Sequence, residues 1–248
     1  MSRRKVLITG ATSGVGRLIA EKLLEEGHDV TVIGRNVKAL EEIEKKGAKP
    51  IQADLSDSVG IELAADAGNP DILIHSAGVG TFATADELTD NQMELMMKVN
   101  VLAPMMLTKR LLPTMKERGA GHIIFLASQA GKVATPKASV YAATKHAIIG
   151  YSNALRMEAA PFGIAVTVIN PGPIDTPFLD LADTTGGYRQ SMGKFLLSAE
   201  KVADAVIQTI HSPVREVNLP GYMAITSKLY ALAPSISERL GKHFFMKK

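Results

Sequence analysis

Cysteine is absent from this chain of 248 residues, which excludes disulfides, thiolate metal ligation and cysteine nucleophiles. A reducing compartment fits that absence, and no metal site is expected. An excess of either charge is also missing: 28 basic and 25 acidic residues leave a formal charge of +3, with the two signs interspersed. A dedicated nucleic-acid face is therefore not expected. No apolar run approaches the roughly 18 to 20 residues that cross a bilayer. The opening residues, MSRRKVLITG, turn directly into a strand pattern and leave no room for a secretory hydrophobic segment. Cytoplasmic residence is the simplest expectation. Repeats and low-complexity segments are missing too. What remains is an ordinary globular composition, 46% hydrophobic and 21% charged, expected to form a single domain over residues 1–248.

The apolar residues come in short runs separated by helical periodicity. KVLITG, DVTVIG, KPIQADL, DILIHSAG, GHIIFLAS, GIAVTVINPG and REVNLPG read as strands. Helices are predicted after the first two strands, ending at Gly27 and Gly47, and over residues 89–118, 139–160 and 198–211. Strands that are apolar almost throughout, each followed by a helix, predict a parallel sheet covered on both faces, the doubly wound Rossmann-type α/β class. Residues 5–160 would carry the cofactor and the chemistry. Residues 171–197 are the only long irregular stretch and are predicted to form a lid over the substrate.

TGATSGVG joins the first strand to its helix and places Gly10, Gly14 and Gly16 at the junction, with Thr12, Ser13 and Val15 between them. Glycines there permit a tight turn and close backbone approach, and the helix N-terminus offers free N–H groups to a pyrophosphate. The competing reading is a plain turn capped by Thr12 or Ser13. The second strand ends in VIGRN, where an acidic residue would repel a 2′-phosphate. Gly34 leaves space and Arg35, followed by Asn36, brings a guanidinium suited to phosphate, so NADP is expected in preference to NAD. Asp54 and Leu55, then Ser76, Ala77 and Gly78, lie at later strand ends, where open α/β sheets bind ligands.

TGATSGVG, the DL pair at 54–55, SAG at 76–78, Asn100 in KVN, Ser128 in FLAS, YAATK at 141–145 and NPGPIDT at 170–176 occur in order. Together they resemble the short-chain dehydrogenase/reductase family, in its branch of about 250 residues. HSAG is a departure, since the family usually has an asparagine-rich turn where this chain has His75. Physical chemistry gives the same site. Residues i and i+4 share a helix face, so the Lys145 ammonium is expected to lie near the Tyr141 phenol and lower its pKa. Ser128, at a strand end, is placed to hold a carbonyl or hydroxyl oxygen against Tyr141. Pro104 has no N–H, so the Asn100 carbonyl loses its helical i+4 donor. The resemblance implies that this carbonyl holds a water in a proton relay and that Lys145 also bonds the nicotinamide ribose. It implies further that Pro171, Gly172, Ile174 and Thr176 wrap the nicotinamide, that the pro-S hydride moves, and that the chain assembles as a homodimer or homotetramer.

The expected activity is NADP(H)-dependent oxidation and reduction between a small carbonyl compound and its alcohol, with Tyr141 as general acid and base. A non-catalytic dinucleotide-binding regulator or scaffold is the alternative, and a nucleotide-sugar epimerase a third, disfavoured by the absence of a large C-terminal lobe. Phe178, Leu179 and Leu181 suggest an apolar wall for the substrate. Residues 221–248 predict a helical tail broken at Pro234, with Leu229, Leu232, Ile236, Leu240 and Phe244 at helical spacing and Lys228, Arg239, Lys242, Lys247 and Lys248 between them. Packing on its own core or on a second subunit is the first expectation for it. Covering the cleft or lying on an anionic membrane surface are the others.

Overall fold

The structure, a computed structural model, describes residues 2–183 and 185–245, the last four of these by backbone alone. Seven strands form one sheet: β1 (Lys5–Thr9), β2 (Asp29–Gly34), β3 (Lys49–Gln52), β4 (Ile72–His75), β5 (Gly121–Leu126), β6 (Ile164–Pro171) and β7 (Glu216–Leu219). All pairings are parallel, in the order β3-β2-β1-β4-β5-β6-β7. Successive strand residues point to opposite faces, which divides the core in two. Val6 and Ile8 of β1 join α1 (Gly14–Glu25), α2 (Val37–Glu44) and α9 (Ala199–His211) on one face. Leu7 joins α3 (Ser58–Ala65), α5 (Ala103–Arg118) and α6 (Ser139–Ala159) on the other. The doubly wound parallel sheet predicted from the apolar runs is therefore present. The strand order reverses between β1 and β4, and ligand sites in such sheets open at that crevice, above the strand C-termini.

Four local features differ from the sequence reading. Residues 56–70, for which no element was predicted, hold α3, nucleated where Asp57 accepts the Gly60 N–H at 2.7 Å. The stretch expected to be irregular contains α7 (Pro177–Ala182) and α8 (Gly187–Met192). β3 ends at Gln52, earlier than predicted, because Asp54 turns back to accept the Ser56 N–H, and as an edge strand it tolerates Pro50. The predicted helix 89–118 is divided into α4 (Asp90–Met97) and α5 by a π-turn at Lys98–Leu102. Pro104 is the cause of that turn: with its N–H missing, the ladder shifts and Ala103 donates to the Lys98 carbonyl, five residues back. The tail forms α10 (Met223–Leu232) and α11 (Pro234–Phe245), broken at Pro234 as predicted. Phe244 and Lys242 lie there by backbone only, and Lys247 and Lys248 fall outside the described residues.

Candidate active site

A cleft of about 790 Å³ opens above the C-terminal ends of the strands. Every residue named from the sequence as catalytic or cofactor-binding lines it except Asn36 and Asn100. Its floor begins at the β1–α1 turn. Thr9, buried at the end of β1, accepts the N–H groups of Ser76 and Ala77 at 3.2 Å each and so fixes the β4 loop against β1. Gly10 has φ +69°, and a Cβ there would lie 2.6 Å from the Ala77 Cα; one on Gly16 would lie 2.4 Å from the Gly10 carbonyl oxygen. No larger residue fits either position. Ser13 occupies the N-cap of α1, yet its side chain accepts none of the helix's first N–H groups. The capped-turn reading therefore fails. Gly14 and Val15, at this uncapped helix end, line the cleft, and such an end suits a pyrophosphate.

At the end of β2, Arg35 has a side chain 62% exposed and lies 3.6 Å from Asp54, a long ion pair. Burial opposes ionisation of Asp54, but hydrogen bonds from Ser56 and the Arg35 guanidinium outweigh it and hold the carboxyl below its usual range. Gly34 lines the cleft and is packed against Thr12, whose methyl would lie 2.3 Å from a Cβ there. Asn36 caps α2, where its Oδ1 accepts the Ala39 N–H at 3.2 Å.

The catalytic candidates converge where β5 and α6 meet. Ser128 Oγ accepts the Ala130 N–H at 3.1 Å and is hydrogen-bonded to Tyr141. Lys145, 6% exposed, donates from Nζ to the Leu126 carbonyl at 3.1 Å. Its ammonium lies 5.6 Å from the Tyr141 ring centroid. The expected lowering of the phenol pKa by Lys145 does not hold in this structure. Burial pushes the phenol up, the Ser128 hydrogen bond opposes it only in part, and Tyr188 adds to the rise. Lys145 is itself brought down to about 8 by burial. Burial therefore shifts both groups toward their neutral forms, and a Lys145 pKa near 8 still leaves the ammonium predominant at neutral pH. Asn100, 2% exposed, does more than the sequence suggested: Oδ1 accepts the Val79 N–H and Nδ2 donates to the Val79 carbonyl, both at 2.8 Å. Nδ2 also donates at 3.1 Å to Thr144 Oγ1, one residue before Lys145. A single amide thus ties the β4 loop to α6.

Aromatic residues enclose the phenol: Phe178, read from the sequence as apolar wall, and Phe82 and Tyr188, which sequence reasoning missed. Phe82 lies 5.8 Å from Tyr141 and 4.9 Å from Tyr188, and Phe178 lies 5.7 Å from Tyr141. Three separate segments supply these rings, so no local spacing announces them. The stretch above is pinned at both ends, where Ile174 bridges to Leu197 and the Leu197 N–H donates to the Pro173 carbonyl at 2.8 Å. Arg189 of α8 reaches back to Asp175, to Asp180 and, at 2.9 Å, to the Thr176 carbonyl. Its pairing with Asp175 raises the guanidinium pKa further. Arg189 thus ties α8 to residues 175–180.

The family model for short chain dehydrogenases matches residues 4–185. This chain belongs to the short-chain dehydrogenase/reductase family. It is similar to dehydrogenase/reductase SDR family member 7B of Mus musculus, 34% identical over 95% of this chain and 79% of that protein. It is also similar to 3-ketodihydrosphingosine reductase of Bacteroides thetaiotaomicron, 32% identical over 80% of this chain and 75% of that protein. A solved short-chain dehydrogenase from Streptomyces avermitilis superposes with a TM-score of 0.83 at 26% identity, covering 98% of this chain and 97% of that one. Members of this family are NAD(P)-dependent oxidoreductases acting on CH–OH and C=O groups, and so is this protein. The glycine cradle and the open helix N-terminus described above fit such a dinucleotide.

Proposed function

We propose that the protein is an NADP(H)-dependent reductase of apolar ketones in which Tyr141 is the proton donor. The observation that carries the reading is the convergence of Ser128, Tyr141 and Lys145 in one cleft, with the Lys145 ammonium 5.6 Å from the Tyr141 ring. When bound, the nicotinamide supplies the hydride to the carbonyl carbon. Ser128 Oγ and the Tyr141 hydroxyl donate to the carbonyl oxygen and orient it, and Tyr141 passes its proton to that oxygen as charge develops. Lys145, brought down to about 8 by burial, stands beside the phenol as the nearest cation that can restore its proton. Asn100 holds the loop and the helix that bracket this exchange.

Arg35 supports NADP over NAD. Its exposed pair with Asp54 is of the kind worth about 0–1 kcal/mol, so the guanidinium can turn to a 2′-phosphate at little cost. The apolar wall of Phe82, Phe178, Leu179 and Met192 supports a hydrophobic carbonyl substrate, as does the similarity to a reductase of a long-chain keto compound. Residues 171–197 act as lid, with the tail beside them. Exposed Met97, Leu102 and Met157 on the α4–α6 flank support a homodimer or homotetramer. The test is consumption of NADPH and of NADH against aldehydes, diketones, quinones, ketosteroids and long-chain ketones, with Tyr141→Phe in parallel. Turnover that prefers NADPH and falls at least about a hundredfold in the variant is the expected result. Turnover by the variant within a few fold of wild type would remove Tyr141 from the mechanism.

A further inference from the structure

Among the described residues, the three most exposed large apolar side chains are Leu232 and Leu240, at 82%, and Leu181, at 78%. They belong to α10, α11 and α7, which come from two distant parts of the chain. Ile225, Leu229 and Leu232 recur on one face of α10, and Ile236 and Leu240 on one face of α11, all of them exposed. Two of these, Leu181 and Leu229, line the cleft itself, together with exposed Phe195 and Tyr222. Exposed apolar side chains of α7, α10 and α11 thus form a collar beside the cleft that other residues of the same helices line. The α10 helix buries only Ser227 against the rest of the molecule, so packing on its own core, the first expectation for the tail, leaves most of it uncovered.

Charge decides what covers the collar. Lys228 and Arg239 stand exposed among the leucines, and neither has an ion pair among the described residues. Lys194 lies over the Phe195 ring at 5.9 Å. The acid between them, Glu238, accepts a hydrogen bond from the Tyr230 hydroxyl at 2.9 Å. An apolar face studded with unpaired cations complements an anionic headgroup layer over acyl chains. It does not complement a second copy of itself, whose collar would carry the same cations and would close the mouth. No helix among the described residues is long and apolar enough to cross a membrane, so contact through this collar would be peripheral.

We propose that the mouth of the cleft docks on an anionic lipid bilayer, with Leu181, Ile225, Leu232, Ile236 and Leu240 seated at the headgroup–acyl boundary. Docking places the cleft opening against lipid, so an apolar ketone reaches Tyr141 laterally from the bilayer without crossing water. The substrate route rests on the reductase reading; the docking itself does not.

The experiment is co-sedimentation of the full chain with phosphatidylcholine vesicles, with and without phosphatidylglycerol, compared with Leu232→Asp/Leu240→Asp and with Lys228→Glu/Arg239→Glu. Neither pair lines the cleft or touches the catalytic group. Wild type is expected to pellet with the phosphatidylglycerol vesicles and poorly with phosphatidylcholine alone. The leucine pair should lose about tenfold or more in partition, and the charge pair its preference for the anionic lipid. Melting temperature and NADPH binding show that each variant is folded. Tyr141→Phe should pellet like wild type, which separates docking from catalysis. A long-chain ketone carried in the vesicles should be reduced more slowly by the leucine pair, with a short water-soluble ketone unaffected. Wild type left in the supernatant, or a leucine pair that pellets like wild type, would overturn the proposal. So would a leucine pair that retains vesicle binding but changes oligomeric state, which would assign the collar to a second copy.

Discussion

The floor of the cleft and its mouth are built on opposite principles. On the floor, polar side chains are buried and matched: Asn100 is 2% exposed with three hydrogen bonds to Val79 and Thr144, and Lys145 is 6% exposed with the Leu126 carbonyl as its partner. At the mouth, apolar side chains are exposed and unmatched, with Leu232 and Leu240 at 82%. A buried polar group without its partner costs about 1–3 kcal/mol, so each floor residue depends on its neighbours. An exposed leucine makes no such demand on its surroundings. The floor can therefore perform one chemistry with little freedom to vary, while the mouth is free to choose which molecule arrives.

Breaking the floor should have the largest effect. Asn100→Ala removes both clamps on Val79 and is expected to destabilise the fold by about 3 kcal/mol and to lower kcat, read by urea unfolding and steady-state rates. Unchanged unfolding would show that the amide does not tie the loop to α6. His75 tests the floor through pH. It is buried, stacked at 4.8 Å on Phe125 and bonded at 2.9 Å to Thr108, and burial brings its pKa from 6.5 to about 3. The unfolded chain takes up the proton first, so the stability contributed by neutral His75 is full above about pH 6.5 and is lost as pH falls toward 3. At pH 5 that loss is about 2 kcal/mol relative to pH 7. His75→Asn should remove it, while His122, lowered to about 4 by burial and Arg4, acts equally in both proteins. Parallel stability curves for the two would contradict this.

Changes toward the edge of the cleft should have smaller and more selective effects. Arg35→Ser is expected to raise the NADPH Kd about tenfold with the NADH Kd almost unmoved, measured by titration calorimetry. Equal losses for both dinucleotides would make Arg35 an ordinary surface cation. Arg189→Ala unties α8 from Asp175, Asp180 and Thr176 and should raise KM a few fold, with little change in Tm because the tie is exposed.

The same contrast explains what could be read from the amino-acid order. Glycines at a strand end, a tyrosine and lysine four apart, and a proline four after Asn100 are local patterns with local causes, and the structure brings all of these residues to one cleft or its support. Asn36 caps α2 through Oδ1, a role the sequence does not separate from ligand contact, because a residue beside a binding loop has the same look in either case. The Tyr141 pKa was misread because i,i+4 spacing conveys proximity and not burial, which dominates here. Phe82, Phe178 and Tyr188 meet only through the fold, and their spacing in the chain carries no trace of that meeting. The helices α7 and α8 are too short for periodicity to reveal.

The measurement that tests the account most directly is kcat/KM for NADPH-dependent reduction of a homologous series of ketones of increasing chain length, by wild type and Tyr141→Phe. The account predicts a rise with chain length in both proteins, with Tyr141→Phe lower by at least about a hundredfold at every length. That pattern would separate a floor that sets the rate from a mouth that sets the choice. A Tyr141→Phe enzyme within a few fold of wild type, or a flat dependence on chain length, would contradict it.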